Sequence, residues 1–149
     1  MSNIYIYLLL ALVAGAMMPT QAATNNKMAA FVDSPILAAL ISFFVGTIAL
    51  LIYTVASGTP LGNIAAVKNA PPIAWIGGFL GAFFVTATVI LVPRLGVAMT
   101  FSLIIAGQML VTIVIDHYGL LGVTVREVNF ARVCGILLIT AGVVLIRKY

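Results

Sequence analysis

The sequence predicts an all-α integral membrane protein with five transmembrane helices, and two observations favour this fold class. Hydrophobic residues make up 64% of the 149-residue chain and charged residues only 7%, whereas about 25% of a soluble domain is charged. The apolar residues are also gathered into long stretches, and a helix needs about 20 of them to cross the roughly 30 Å hydrocarbon core of a bilayer. The predicted spans are Ile4–Ala23, Pro35–Ser57, Ile73–Val92, Val97–Ile115 and Val128–Ile146. We therefore expect residues 1–149 to form a single five-helix membrane domain.

The first four spans contain no charged residue, and each is long enough to cross the bilayer. In the first span, Pro19 lacks a backbone N–H and is expected to kink the helix. In the third, Gly77 and Gly81 form a small-xxx-small pair that lets two helices pack closely. In the fifth, Arg132 leaves only Val133–Ile146 free of charge, a length that also suits a buried or re-entrant helix. We favour a full span because a long Arg side chain near a helix end can reach the headgroups.

Short polar connections separate the spans and leave no room for a soluble domain. The second connection combines Gly, Asn and several Pro residues, which is typical of a turn-rich linker. The third is expected to be a tight corner. The four predicted connections are Asn25–Ser34, Gly58–Pro72, Pro93–Gly96 and Asp116–Glu127.

Lysine and arginine are almost evenly divided between the two sides that five spans would create. One side carries three of them, Lys68, Arg126 and Arg132. The other carries four, Lys27, Arg94, Arg147 and Lys148. The Lys/Arg difference between sides sets the orientation of a membrane protein, and a difference of one is a weak bias. Such a chain can insert in both orientations and form an antiparallel homodimer, unless features outside this count select one orientation.

An antiparallel pair of chains would have the symmetry of many secondary transporters. These are built from inverted repeats, with the substrate site near the bilayer midplane at the repeat interface. Two oppositely oriented copies of one small protein reproduce that arrangement without gene fusion. The charge distribution therefore points towards transport.

Polar residues inside the spans are the best candidates for a substrate pathway, because each costs free energy unless it is paired or hydrated. Gln21 and Asn25 are four residues apart and lie on one helix face. Gln108, Thr112 and Asp116 repeat the same spacing in the fourth span. These side chains either line a pathway or form interhelical hydrogen bonds worth about 1 kcal/mol each.

Three charged residues near span ends are candidates for coupling or gating. Asp116 adjoins a span and could bind a proton, or it could form a structural ion pair with Arg126 or Arg132. We assign Arg94 and Arg132 to the same class of gate or structural charges.

Several function classes find no support in the sequence. There is no G-x-x-x-x-G-K-[ST] motif for a nucleotide, no metal-ligand spacing and no nucleophile constellation. The lysines and arginines are scattered singly rather than clustered, which argues against a nucleic-acid partner. We therefore expect no enzyme activity, no metal and no cofactor.

A series of short motifs follows one another along the chain and supports a more specific hypothesis. They are Gln21 and Asn25, Ser42-Phe43-Phe44-Val45-Gly46-Thr47, Gly77-Gly78-Phe79-Leu80-Gly81-Ala82, Val92-Pro93-Arg94-Leu95-Gly96, Ala106-Gly107-Gln108, Asp116-His117-Tyr118-Gly119-Leu120-Leu121-Gly122 and Arg132. Together they resemble the YdcZ-like family of bacterial inner-membrane exporters in the drug/metabolite transporter superfamily, over essentially the whole chain. The resemblance implies one half of a ten-helix inverted-repeat transporter in the inner membrane. It also implies pairing with a second copy as an antiparallel homodimer, with an oppositely oriented homologue, or within a fused chain.

The chain is more distantly similar to the small multidrug exporters of the same superfamily. Those proteins use a Glu in the first helix to exchange protons for cationic drugs, whereas the first span here carries no acid. A neutral or anionic cargo is therefore at least as plausible as a cationic drug.

The expected function is that of a secondary transporter subunit. It would export a small metabolite or toxic compound by alternating access, with Gln21, Asn25, Gln108 and Thr112 lining the pathway. The alternative is a non-transporting membrane protein that binds a larger complex through its helices.

Overall fold

A computed structural model describes residues 4–148, and the regular secondary structure of that part is entirely helical. Two 3-10 helices, Leu61–Asn69 and Leu120–Gly122, lie in the connections. The main elements are α1 (Ile4–Val32), α2 (Pro35–Ala56), α3 (Pro72–Leu95), α4 (Val97–Tyr118) and α5 (Phe130–Lys148).

Within residues 4–148, helices α1 to α4 are long and apolar enough to cross a membrane. Helix α5 contributes a shorter apolar segment, Phe130–Ile146. The all-α membrane class predicted from the sequence is therefore confirmed, with four candidate spans and one shorter apolar helix. A fifth crossing and the ten-helix assembly stay predictions.

Helix α1 is longer than the span predicted within it. It continues past Ala23 to Val32, so the predicted loop at Asn25–Ser34 is mostly helical and that prediction was wrong. No Gly or Pro occurs between Thr20 and Val32, so the fall in hydropathy after Ala23 does not end the helix. At 29 residues the helix is about 43 Å long, which exceeds the roughly 30 Å hydrocarbon core.

A two-residue turn reverses the chain between α1 and α2. Asp33 takes a left-handed conformation with φ 49°, which Asp tolerates better than most residues. Ser34 then caps α2, because its hydroxyl oxygen accepts a hydrogen bond from the Leu37 N–H at 3.2 Å. Pro35 occupies the first turn of α2, where its missing N–H costs nothing. The two helices therefore form an antiparallel hairpin.

The chain divides into two compact units, with the boundary between Pro93 and Arg94. In the first unit α1 packs against α2. Small residues are buried in these two helices, namely Ala22 in α1 and Ala38 and Ala39 in α2. Such residues permit the close helix approach that membrane helices use.

Helix α3 also differs from expectation at its end. It continues through Pro93 and Arg94 to Leu95, so the predicted corner at Pro93–Gly96 is mostly helix. Proline has a helical φ, but it lacks an N–H and its ring crowds the carbonyl of Val89 four residues earlier. The helix accordingly continues for only two residues beyond Pro93. The interruption is confined to Gly96, whose φ of 79° suits glycine.

In the second unit α4 packs against α5. Helix α4 ends at Gly119, a left-handed residue whose N–H donates to the Asp116 and Ile115 carbonyls. A Cβ added to Gly119 would lie 2.7 Å from Cγ2 of Val125, so the connection requires glycine there. Helix α5 begins directly after Asn129, whose side-chain oxygen accepts a hydrogen bond from the Arg132 N–H at 2.9 Å.

Candidate functional site

A concave surface of the first unit lies between α1 and α2, and we refer to it as the α1–α2 cleft. Its volume is about 850 Å³, within the roughly 300–1,000 Å³ range of small-molecule sites. All of its lining residues are uncharged, and they come from both helices. Its principal side chains are Met17, Gln21, Asn25 and Met28 of α1 and Ile41 and Ser42 of α2.

Asn25 is the unusual residue of the cleft. Its side chain lines the cleft, yet the residue is only 7% exposed and its amide nitrogen has no hydrogen-bond partner. Leaving a buried polar group unsatisfied costs about 1–3 kcal/mol, and native proteins rarely leave such groups without a reason. Because the nitrogen is buried even with the cleft empty, a ligand could bond to it only after the side chain moved.

Three polar side chains close to Asn25 in the sequence are satisfied within their own helix. The Thr24 hydroxyl donates to the Gln21 carbonyl at 2.9 Å, and the Thr20 hydroxyl to the Ala16 carbonyl at 3.0 Å. The Asn26 amide donates to the Ala22 carbonyl at 3.0 Å and does not line the cleft. The Asn25 amide nitrogen differs from these three groups in being buried without a partner.

The polar side chains of the cleft lie near its middle. Gln21, Asn25 and Ser42 are flanked by Met28 nearer the α1–α2 turn and by Val13 farther from it along α1. The methionines of the walls have flexible, polarisable side chains that adapt to ligands of different shape. The arrangement suits a molecule with an apolar body and one weakly polar group.

A second, smaller cleft lies between α4 and α5, with a volume of about 220 Å³. Asp116 and Arg132 face each other there in an ion pair of 3.2 Å, with side chains 24% and 29% exposed. Arg132 also donates to the Arg126 carbonyl at 3.1 Å, and the Arg126 N–H donates to the Asp116 carbonyl at 2.9 Å. This network ties the end of α4 to the start of α5.

The structure brings together some of the predicted pathway residues. Gln21 and Asn25 both line the α1–α2 cleft. Thr112 lines the α4–α5 cleft beside Asp116, with its hydroxyl bonded to the Gln108 carbonyl at 2.7 Å. Gln108 itself is exposed and lines neither cleft.

The other predicted residues have distinct surroundings. Arg94 is exposed in the last turn of α3. Helix α1 runs continuously through Pro19, and the kink expected there stays a prediction. A Cβ added to Gly81 would lie 3.5 Å from the Phe43 ring of α2, whereas Gly77 faces open space within the chain. Their role in helix packing likewise stays a prediction.

Sequence reasoning missed part of the α1–α2 cleft. The sequence analysis names Ser42 only within a family motif and does not single out Met17 or Met28. The signal was nevertheless present in α1, because Met17, Gln21, Asn25 and Met28 recur every three or four residues. The contribution of α2 depends on the register of the hairpin, which no local pattern specifies.

Comparison with known proteins decides the family. Residues 6–145 match the family model described as "Putative inner membrane exporter, YdcZ". The chain belongs to the YdcZ family. It is accordingly a multi-pass inner-membrane protein of an exporter family rather than an enzyme family. No curated protein and no solved structure matches the chain significantly.

Proposed function

We propose that the chain is a secondary transporter subunit that exports a small molecule through the α1–α2 cleft by alternating access. One observation carries the proposal, namely the buried and unpartnered Asn25 amide in an uncharged cleft between two candidate spans. A polar group in a membrane helix costs free energy and marks a functional site when no protein partner explains it. Membership of an exporter family supports the same conclusion.

The functional unit that we propose is a pair of oppositely oriented subunits, either two copies of this chain or this chain and a homologue. A pathway with alternating access needs two halves related by inverted symmetry. Large apolar side chains of the described residues, such as Leu8, Leu12 and Phe79, are more than half exposed within one chain. Lipid or a second subunit must cover them.

Whether helix α5 crosses the bilayer determines how evenly the Lys and Arg residues are divided between the two sides of the membrane. It has 19 residues and is therefore about 28 Å long, close to the thickness of the hydrocarbon core. If α5 crosses the bilayer, the two sides carry three and four Lys/Arg residues, as counted above. If it does not, Arg147 and Lys148 join the side of Lys68, and the division becomes five against two. Dual insertion therefore requires α5 to cross.

The ion pair between Asp116 and Arg132 supports a structural or gate role for both residues. The pair links α4 to α5, so it could hold these helices together in one state of the transport cycle.

Alternating access can be tested without knowing the cargo, by labelling a single cysteine in the cleft. The native cysteine would first be removed by Cys134→Ser. Thr24→Cys then places a thiol in the α1–α2 cleft, and Gly62→Cys places one in the α2–α3 connection as a static reporter. Both variants would be reconstituted in random orientation and treated with a membrane-impermeant maleimide from outside.

The two reporters are expected to behave differently. The thiol at position 62 should react only in copies that present the connection to the outside, and the reaction should then stop. The thiol at position 24 should react to completion, because each cleft opens to the outside in turn. Transport would be contradicted if labelling at position 24 stopped at a fraction equal to the fraction of copies that stay unlabelled at position 62. It would favour the non-transporting membrane protein.

A further inference from the structure

We propose that the 3-10 helix Leu61–Asn69 lies along the membrane surface and inserts one apolar row of side chains among the lipids. Its partner is the bilayer interface, the boundary between the lipid headgroups and the acyl chains. The inference goes beyond the proposed function, because it assigns a lipid-binding surface to the connection between α2 and α3. It does not depend on the α1–α2 cleft.

The geometry of the 3-10 helix gathers its large apolar side chains into one row. Such a helix has about three residues per turn, so the side chains at i and i+3 eclipse one another. Leu61, Ile64 and Val67 have this spacing, and each is between 45% and 64% exposed. The other two rows carry small and polar residues, namely Gly62, Ala65 and Lys68 in one and Asn63, Ala66 and Asn69 in the other. All nine residues are exposed, so the chain itself leaves the apolar row uncovered.

The two candidate spans that flank the 3-10 helix keep it close to the membrane surface. Helix α2 has 22 residues and α3 has 24, so they are about 33 and 36 Å long, slightly more than the roughly 30 Å hydrocarbon core. The end of α2 and the start of α3 therefore lie near the headgroups when both helices cross. Two residues separate Asn69 from Pro72, and a chain of that length reaches at most about 11 Å. The 3-10 helix thus ends within that distance of the start of α3.

Two aromatic side chains support this placement. Tyr53 lies in the last turn of α2 and Trp75 in the first turn of α3, and both are more than half exposed. Tyr and Trp are enriched at the headgroup level, because each has an apolar body and a polar group. The 3-10 helix is therefore connected at both ends to helix turns that carry interfacial anchors.

The pattern of side chains fits lipid better than water or a second copy of the chain. In water the apolar row would stay hydrated, whereas the interface removes it from water at no cost to the polar rows. Lys68 follows Val67, and its long aliphatic stem lets the ammonium group reach the lipid phosphates. In an antiparallel pair the same helix of the second copy lies on the opposite surface, so the two apolar rows cannot cover each other.

Spin labelling distinguishes lipid, water and protein around each position of the helix. Each residue from 61 to 69 would be replaced in turn by cysteine in a Cys134→Ser background, spin-labelled and reconstituted in nanodiscs of phosphatidylcholine and phosphatidylglycerol. Collisions with oxygen report exposure to lipid, and collisions with a water-soluble nickel chelate report exposure to water. The ratio of oxygen to nickel accessibility should peak at positions 61, 64 and 67, roughly threefold above positions 63, 66 and 69.

Two exchanges of residues test the row without changing the composition of the helix. Asn63→Ile combined with Ile64→Asn moves one large apolar side chain out of the row. Labels at positions 61 and 67 should then become roughly twofold more accessible to nickel. Asn63→Ala combined with Ala66→Asn is the matched control, because it exchanges two residues within one polar row and should leave both labels unchanged.

Three results would overturn the inference. Accessibility without a period of three would show that no single row faces the lipid. High nickel accessibility at positions 61, 64 and 67 would place the row in water, and low accessibility to both reagents would show that protein covers it. None of these results changes the labelling expected at position 24, so the transport proposal stands or fails separately.

Discussion

Asn25 carries a cost to stability that a purely structural residue would not carry. Its amide nitrogen is buried without a partner, whereas Asn26 beside it donates to the Ala22 carbonyl. Functional sites often retain such locally unfavourable groups. The contrast between adjacent asparagines therefore separates a binding role from a packing role.

A stability measurement on leucine variants of the two asparagines follows from this contrast. Asn25→Leu is expected to raise the free energy of unfolding by about 1 kcal/mol, because an unsatisfied buried amide is replaced by an apolar group. Asn26→Leu should lower it by roughly 0.5–1.5 kcal/mol, because a hydrogen bond is lost. Thermal unfolding of both proteins in detergent would measure the difference. A clear loss of stability in Asn25→Leu would instead show that Asn25 has a structural partner.

At the level of elements, the α4–α5 connection depends on the ion pair between Asp116 and Arg132. The two side chains are mostly buried and 3.2 Å apart, so their coupling should exceed that of an exposed pair. A double-mutant cycle with Asp116→Asn and Arg132→Gln is expected to give a coupling free energy of about 1 kcal/mol or more in thermal unfolding.

The same cycle distinguishes a structural pair from a proton-binding carboxylate. A structural pair predicts that both single variants lose stability and that the double variant loses less than their sum. Asp116 would instead be a coupling residue if Asp116→Asn left the free energy of unfolding unchanged but kept the cysteine at position 24 from being labelled to completion.

The positions of the apolar helices could be predicted, but not all of their ends. Hydropathy reports where apolar residues are concentrated, so it located α1 but missed its continuation from Ala23 to Val32. Pro93 predicted a corner, although the helix runs through it and ends two residues later. Helix ends depend on capping and left-handed residues such as Ser34 and Gly96.

The candidate site was predictable only on the α1 side. Gln21 and Asn25 share a helix face by their spacing, and both line the cleft. Ser42 joins them only because the turn at Asp33 and Ser34 sets the register of α2 against α1. The unpartnered state of the Asn25 amide likewise depends on packing rather than on any sequence motif.

At the level of the whole molecule, the account requires two oppositely oriented subunits to form one transporter. The even division of Lys and Arg permits this only if α5 crosses the bilayer. The side on which the C-terminus lies therefore depends on both the fate of α5 and the orientation of the chain.

The most direct test is to fuse the C-terminus, in parallel, to a phosphatase that is active only in the periplasm and to a fluorescent protein that is active only in the cytoplasm. The account predicts that both fusions are active in intact cells, since α5 crosses and the chain inserts in both orientations. Activity of only one fusion would contradict the antiparallel homodimer and leave an oppositely oriented homologue as the required partner.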